Sequence, residues 1–275
     1  MKKILLSILL LLACGESTVG QSIVGHRGAS YDAPENTISA FEEAWRQEAD
    51  GVEGDFYFTA DGHIVCIHDK DTQRTAGRKL MVAESTLEEL RELEYGGWKD
   101  AKYKGESLAT FADVAAVIPA GKLFVIELKT GPEIVPLLAE ELKKTKLAEE
   151  QLLIIAFNSA TVAKAKEMLP TVRAHWLTSY KQNRKDGAWM PTVEQVAETL
   201  KACGADGLGT NGNRQVVDEA FIATLKGAGM KEFHVWTIDD PADARYFQEL
   251  GASGITTNRP ALIRESLGVL EASGH

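Results

Sequence analysis

Charged residues stand two apart within two strand-like apolar runs: Glu53 and Asp55 within "GVEGDFYF", and Glu127 and Lys129 within "LFVIELK". Side chains two apart in an extended strand share a face, so each pair presents both groups to one side. Three carboxylates gathered in one small volume cannot all ionise without a cation. Ligation by Glu53, Asp55 and Glu127, completed by water and substrate oxygens, suits one divalent cation, Ca²⁺ or Mg²⁺, better than zinc. No cluster of Cys and His competes for a softer metal.

Two further strand-like runs end in reactive groups: "SIVGHRG" in His26 and Arg27, and "HIVCIHD" in His68 and Asp69. A hard cation flanked by Arg27, Lys129 and two histidines suits an anionic substrate whose charge grows in the transition state, and a phosphodiester is such a substrate. His26 and His68 can divide the proton transfers, one taking a proton from the attacking hydroxyl and the other giving one to the leaving oxygen. His175, His234 and His63 read instead as hydrogen-bonded core residues, and Cys66 as a buried, inert thiol.

Elements must bring these groups together. From residue 22 onward, short apolar runs alternate with helix-period segments such as "PENTISAFEEAWRQE", "NSATVAKAKEML" and "DPADARYFQELG". Repeated strand–helix–strand units imply a parallel sheet. Taking "GVEGDFYF" and "HIVCIHD" as one region folded about Asp61-Gly62 leaves eight units, the number that closes a (β/α)8 TIM barrel. Reactive groups then sit at the C-terminal ends of strands, where His26, Arg27, Glu53, Asp55, His68, Glu127, Lys129 and Trp236 converge on one rim. An open doubly wound sheet is disfavoured, because no glycine-rich dinucleotide fingerprint follows the first strand.

Residues 70–106 are too long for a simple connection and read as a small insertion after the second strand, with a short helix near Ser85–Leu93 capped by Ser85 or Thr86. In "TSYKQNRKDGAW" and the strand before it, Trp176, Tyr180 and Trp189 read as packing residues rather than as a cage for a quaternary ammonium. Phe157 and Asn158, after the fourth strand, are candidates for the floor of the site.

The chain has 275 residues and a net charge of −10. That balance argues against nucleic acid or an anionic membrane as a partner, since both require clustered Lys and Arg. Lys2 and Lys3 precede an apolar run from Ile4 to Ala13, too short at about 10 residues to span a bilayer. Residues 1–13 read as an export signal, and "LLAC" places Cys14 where a bacterial lipobox is lipidated. The chain is therefore expected to be exported, as a periplasmic or membrane-anchored lipoprotein; ordinary signal cleavage near Gly20 is the alternative. Only Cys66 and Cys203 then remain, too few for a disulfide framework.

In order, "HRGAS", "APENTISAF", "VEGDFYFTADGHIVCIHD", "IELK" and "VWTID" resemble the motifs of the glycerophosphodiester phosphodiesterase family over nearly all of residues 22–268. The resemblance implies a (β/α)8 barrel, with His26 and His68 as the acid/base pair and Arg27 and Lys129 as phosphate contacts. It also implies Glu53, Asp55 and Glu127 as ligands of one divalent cation, Trp236 against the glycerol moiety, and Glu35 and Asn36 as supports of the first loop. The substrate would be a small-molecule glycerophosphodiester, attacked by its own glycerol hydroxyl to give a cyclic phosphate that water opens, so no serine or cysteine nucleophile is required. Alternatives are a related barrel phosphodiesterase acting on (lyso)phospholipid or sphingomyelin, and an inactive phosphodiester-binding envelope protein. Gly54 departs from the apolar residue usual between the two acids, and Ala109 from the usual proline. Gly54 is expected to loosen the strand while leaving both carboxylates in phase.

Overall fold

The computed structural model describes residues 21–268; the N-terminal apolar run and Cys14 lie outside them. The apolar runs form β1 (Ser22–His26), β2 (Gly51–Phe58), β3 (Ile64–Cys66), β4 (Leu123–Leu128), β5 (Leu152–Ala156) and β6 (Arg173–Thr178). A short hairpin of β7 (Lys181–Gln182) and β8 (Trp189–Met190) precedes β9 (Gly207–Asn211), β10 (Glu232–Trp236) and β11 (Gly254–Thr257). Setting aside β3 and the hairpin, the strands pair in parallel in the order β1-β2-β4-β5-β6-β9-β10-β11, and β11 pairs back onto β1. The sheet therefore closes into a parallel eight-stranded barrel. Strand β3 folds back antiparallel on β2, with Phe58 opposite Ile64.

Helices cross the outside between barrel strands: α1 (Ile38–Arg46), α5 (Ile134–Leu142), α6 (Ser159–Met168), α7 (Val193–Cys203), α8 (Glu219–Gly227), α9 (Pro241–Glu249) and α10 (Pro260–Leu267). Their ends follow local chemistry. The Thr37 hydroxyl caps α1 by accepting from the Ala40 N–H, and Thr192 with Gln195 makes a reciprocal cap on α7, which ends at the left-handed Gly204. Phe41 on α1 is fully buried, while Ile38 and Trp45 are partly so. Between β2, β4 and the helix α4 (Phe111–Ala116), the rings of Phe56, Phe111 and Phe124 pack with centroids 5.4 to 5.8 Å apart.

Residues 70–106 carry α2 (Gln73–Ala76) and α3 (Leu87–Arg91) around a small core of Val82, Leu90 and Tyr95, joined by Leu108, Val65 and Ile67. Thr86 is the cap of α3, paired with Glu89, and Glu88 and Glu89 face solvent. The segment is tied to the loop after β1 by Lys99 donating to the Ser30 carbonyl and by the Tyr103 hydroxyl donating to that of Asp32.

Inside the barrel, one arc is apolar, built from Val24, Val125, Leu153, Ile155 and Leu177. The other arc is different. Gly207 and Gly209 leave room for two imidazoles: a Cβ on either would lie 2.7 Å from His175 Nε2 or 2.6 Å from His234 Nε2. His175 and His234 are buried and joined through their Nδ1 atoms at 2.9 Å, and His175 Nε2 lies 3.0 Å from Glu232. The core reading of these two histidines holds. For His63 it does not: His63 stands exposed beside the β2–β3 turn, 3.8 Å from Asp61, because the hairpin tip projects from the barrel into water.

Burial, and then the neighbouring His175, lower the His234 pKa from 6.5 to about 3. The unfolded chain therefore takes up a proton below pH 6.5 that the folded chain refuses until about pH 3. This contribution is fully present above 6.5 and is lost as pH falls through that window. Thermal melts between pH 7 and pH 4 should show Tm falling with pH, and the fall should be shallower in His234→Leu than in the wild type.

Candidate active site

The polar residues of the sequence motifs gather at the C-terminal end of the barrel because the register brings them level. His26 on β1 stands beside Glu53 on β2, and Asp55 on β2 beside Glu127 on β4. They border a cavity of about 180 Å³, lined by His26, Arg27, Glu53, His68, Glu127 and Lys129 on its charged side. Ile155, Phe157, Leu177 and Trp236 make its apolar side, and Phe157 packs edge-on against Trp236 with centroids 5.5 Å apart. A larger cavity of about 580 Å³ opens at the other end of the barrel, around Ser22, Leu123 and Gly254. It holds none of the sequence-predicted site residues, and barrel chemistry sits at the strand C-termini.

Asp55 is 1 % exposed and is held by three residues through four contacts. Arg27 Nε lies 3.2 Å from Oδ2 and Lys129 Nζ 3.1 Å from Oδ1, while the Asn36 amide donates to Oδ2 at 2.8 Å and accepts from the Asp55 N–H at 3.2 Å. Burial alone would raise the Asp55 pKa, but Lys129, Arg27 and His68 override it and keep the carboxyl well below its usual range. Lys129 also reaches Glu127 at 2.6 Å. Arg27 and Asn36 both have left-handed backbones, φ 55° and 59°, with Asn36 N–H bonded to the Arg27 carbonyl. Side-chain ties to Asp55 over-determine these costly conformations. Gly28 next to them is obligatory, since it adopts φ 81° and a Cβ there would sit 2.4 Å from the backbone of Ala40.

Glu53 and Glu127 behave in the opposite way. Burial, then Asp55 and Glu127, push the Glu53 pKa far up; burial and then Asp55 raise Glu127 to about 7. Glu53 Oε2 accepts from the Arg27 N–H at 2.9 Å, but Oε1 is buried with no hydrogen-bond partner among the described residues. One oxygen from each of Glu53, Asp55 and Glu127 lies within 4.8 Å of the others. An orphaned buried carboxylate oxygen in a cluster of three hard oxygen donors fits a divalent cation. Gly54 between the acids does not loosen β2, which runs unbroken. A Cβ there would touch Cys66 Sγ, Phe41 and Phe56 at 3.2 to 3.3 Å, so the glycine admits close packing behind the site.

The two histidines are oriented differently. His26 Nδ1 lies 2.7 Å from the Asn258 side-chain oxygen, which also accepts from Ser30 Oγ; Asp239 accepts from the Asn258 amide nitrogen at 2.6 Å and so fixes which way that amide points. His26 Nδ1 must then carry the proton, and Nε2 keeps its lone pair. Burial, then Arg27, lower the His26 pKa to about 4. His68 Nδ1 lies 2.7 Å from the Asp69 carboxylate. Arg74 from α2 clamps Asp69 at 2.7 Å and Glu35 at 2.7 and 2.8 Å, and Glu35 returns to Arg27 at 2.9 Å.

All eight residues placed at the rim by the sequence are thus brought together, and Glu35 and Asn36 brace the first loop beneath them. Asn158 is not in the floor: it caps α6, accepting from the Ala160 and Thr161 N–H groups, because the chain turns outward there. Tyr180 is buried against Phe221, Trp176 donates to the Phe157 carbonyl, and neither they nor Trp189 line the cavity. Asn258, Asp239 and Arg74 escaped the sequence reading. Asn258 could have been found by the rule that located His26, since it closes the run "ASGITTN" immediately after β11.

A family model, the glycerophosphoryl diester phosphodiesterase family, matches residues 26–262. The chain belongs to that family. It is 31% identical over 242 residues, 86% of its length and 94% of the relative, to a glycerophosphodiester phosphodiesterase of Caldanaerobacter subterraneus. A second family member, a glycerophosphodiester phosphodiesterase of Bacillus subtilis, is 26% identical over 88% of the chain and 85% of the relative. Among solved structures, an Oleispira antarctica phosphodiesterase in complex with the product sn-glycerol-3-phosphate superposes with a TM-score of 0.78 and 25% identity, covering 90% of this chain and 96% of that one.

The opposed states of the carboxyls in this family site predict unequal costs for removing their charges. Asp55→Asn removes the charge shared by the partly buried Arg27 and Lys129 and should cost about 2–3 kcal/mol in urea unfolding of the cation-free protein. Glu53→Gln removes crowding and should cost less than about 1 kcal/mol in the same measurement.

Proposed function

We propose that this chain hydrolyses glycerophosphodiesters to glycerol phosphate and an alcohol by two-histidine acid/base catalysis, through a cyclic phosphate, with one divalent cation held by Glu53, Asp55 and Glu127. The observation that carries the reading is the pair of imidazoles lining one small cavity, each tied at Nδ1, to Asn258 or Asp69, beside Arg27 and Lys129. The bound sn-glycerol-3-phosphate of the Oleispira relative supports the same product class.

Charge assigns the roles. His26 has an amide partner and a lowered pKa, which leave Nε2 unprotonated as a general base. His68 has a carboxylate partner, which can share the charge of an imidazolium and suits it to general-acid duty. The substrate's own glycerol hydroxyl attacks phosphorus and passes its proton to His26 Nε2. The bond from phosphorus to the leaving alcohol breaks, and that oxygen takes a proton from His68. Water then opens the cyclic phosphate with roles reversed, His68 removing the proton of water and His26 protonating the ring oxygen. Arg27 and Lys129 neutralise the phosphoryl oxygens and fix their orientation. The bound cation would supply electrophilic stabilisation of the phosphoryl charge.

A second reading, action on lysophospholipid, draws support from Tyr31, Trp98, Phe157 and Met190, exposed apolar residues on segments at this end of the barrel. Comparing soluble glycerophosphocholine with a micellar lysolipid decides between the two. For the leading reading, His26→Ala and His68→Ala should each lower kcat on glycerophosphocholine by about 10²–10⁴-fold. On a diester with a p-nitrophenolate leaving group, which needs no protonation, His68→Ala should recover most of its rate and His26→Ala should not. Equal losses on both substrates would rule out the division of labour.

A further inference from the structure

A chain of hydrogen bonds running up the polar arc of the barrel fixes the tautomer of a histidine that the mechanism above does not use. At the lower end, Arg173 Nη1 lies 3.2 and 3.4 Å from the two oxygens of Glu232, and the hydrogen bond from His175, burial notwithstanding, brings the Glu232 pKa down to about 2. An ionised carboxylate can only accept, so His175 Nε2, 3.0 Å away, must donate. In a neutral His175 the other nitrogen, Nδ1, then holds a lone pair. His234 Nδ1, 2.9 Å from it, must supply the proton. The remaining nitrogen, His234 Nε2, is left as an acceptor.

His234 is on the wall of the catalytic cavity. His234 lines both the cavity beneath the barrel and the catalytic one, and with Nδ1 engaged by His175, its Nε2 is buried with no hydrogen-bond partner among the described residues. Trp236, two residues on and on the same face of β10, also lines the catalytic cavity, and its Nε1–H is likewise buried without a partner. One orphaned acceptor and one orphaned donor on a single wall match the two capacities of an alcohol hydroxyl, which accepts from one and donates to the other. The absence of a side chain on Gly209 is what gives the His234 ring its place.

We infer that His234 Nε2 and Trp236 Nε1 bind the glycerol hydroxyl that does not attack phosphorus, with Glu232 and His175 as positioning residues that hold His234 in the accepting tautomer from the opposite end of the barrel. This rests on the phosphodiesterase reading and adds to it the residue pair that distinguishes a glycerol diester from other vicinal diol diesters. A site with buried polar groups built for a hydroxyl rejects the analogue that lacks it, because those groups are then left unpaired.

The test has two arms. In the first, nitrogen-15 NMR of the imidazoles at neutral pH, with and without added glycerol, reads the tautomer directly. His234 should carry its proton on Nδ1, and its bare Nε2 resonance should move when glycerol is added. A proton on His234 Nε2, as a doubly protonated His175 would impose, overturns the inference whatever the enzyme turns over. In Glu232→Gln, whose amide can also donate to His175 Nε2, the fixed tautomer should be lost. In the second arm, kcat/KM is compared for glycerophosphocholine and for the ethane-1,2-diol diester that keeps the attacking hydroxyl but lacks the other. The wild type should prefer the glycerol diester by about 10- to 100-fold, and in His234→Phe the preference should fall to within about twofold of unity. Turnover of both diesters by the wild type without preference overturns the inference while leaving the phosphodiesterase reading standing. Turnover of neither counts against that reading, and the spectrum still decides the tautomer.

Discussion

Asp55 is the buried charge on which the catalytic end of the barrel is built. An ionised carboxylate in the interior is tolerated only with charged partners and satisfied lone pairs. Each partner it recruits belongs to a different part of the chain: Arg27 from the end of β1, Asn36 from the loop before α1, and Lys129 from just beyond β4. The left-handed backbones at Arg27 and Asn36 follow from this demand, since both residues must turn their side chains back toward β2. Gly28, packed on Ala40, then lets the loop close.

The cost of concentrating charge falls on Glu53 and Glu127. Burial, and then the charge of Asp55, push these two carboxyls toward their neutral forms despite Lys129 beside Glu127, and Glu53 keeps one oxygen without a partner among the described residues. The same concentration of oxygen donors fits the proposed cation. Stability is secured elsewhere, in the apolar layer between strands and helices and in the separate small core of residues 70–106. His26 and His68 share a rim yet differ in their neighbours, an amide for His26 and a carboxylate for His68, and that difference underlies the proposal that one takes a proton and the other gives it.

Much of this was legible because it is periodic or local. Strand–helix alternation specifies the barrel, and the spacing of Glu53 with Asp55, and of Glu127 with Lys129, places their side chains in phase without any knowledge of tertiary contacts. The ordered motifs from His26 to Trp236 carry the family. What escaped depends on partners distant in sequence. Asn258 meets His26 only when the last strand closes on the first, and Arg74 reaches Glu35 only because the insertion folds over the first loop. His63 and Asn158 were misplaced for a related reason, as a polar residue next to a strand can equally turn inward, project from a hairpin or cap a helix. The direction of His234 is legible only from the whole hydrogen-bond chain down to Glu232.

The central claim is that the three acids form a cation site on which turnover depends. Bound divalent cation measured by elemental analysis, alongside turnover of glycerophosphocholine as chelator is added and then removed by cation, tests it most directly. The account predicts one cation per chain, loss of activity in step with loss of the ion, recovery on adding Ca²⁺ or Mg²⁺, and no bound ion in Glu53→Gln/Glu127→Gln. Full turnover by a chain that retains no cation would contradict it.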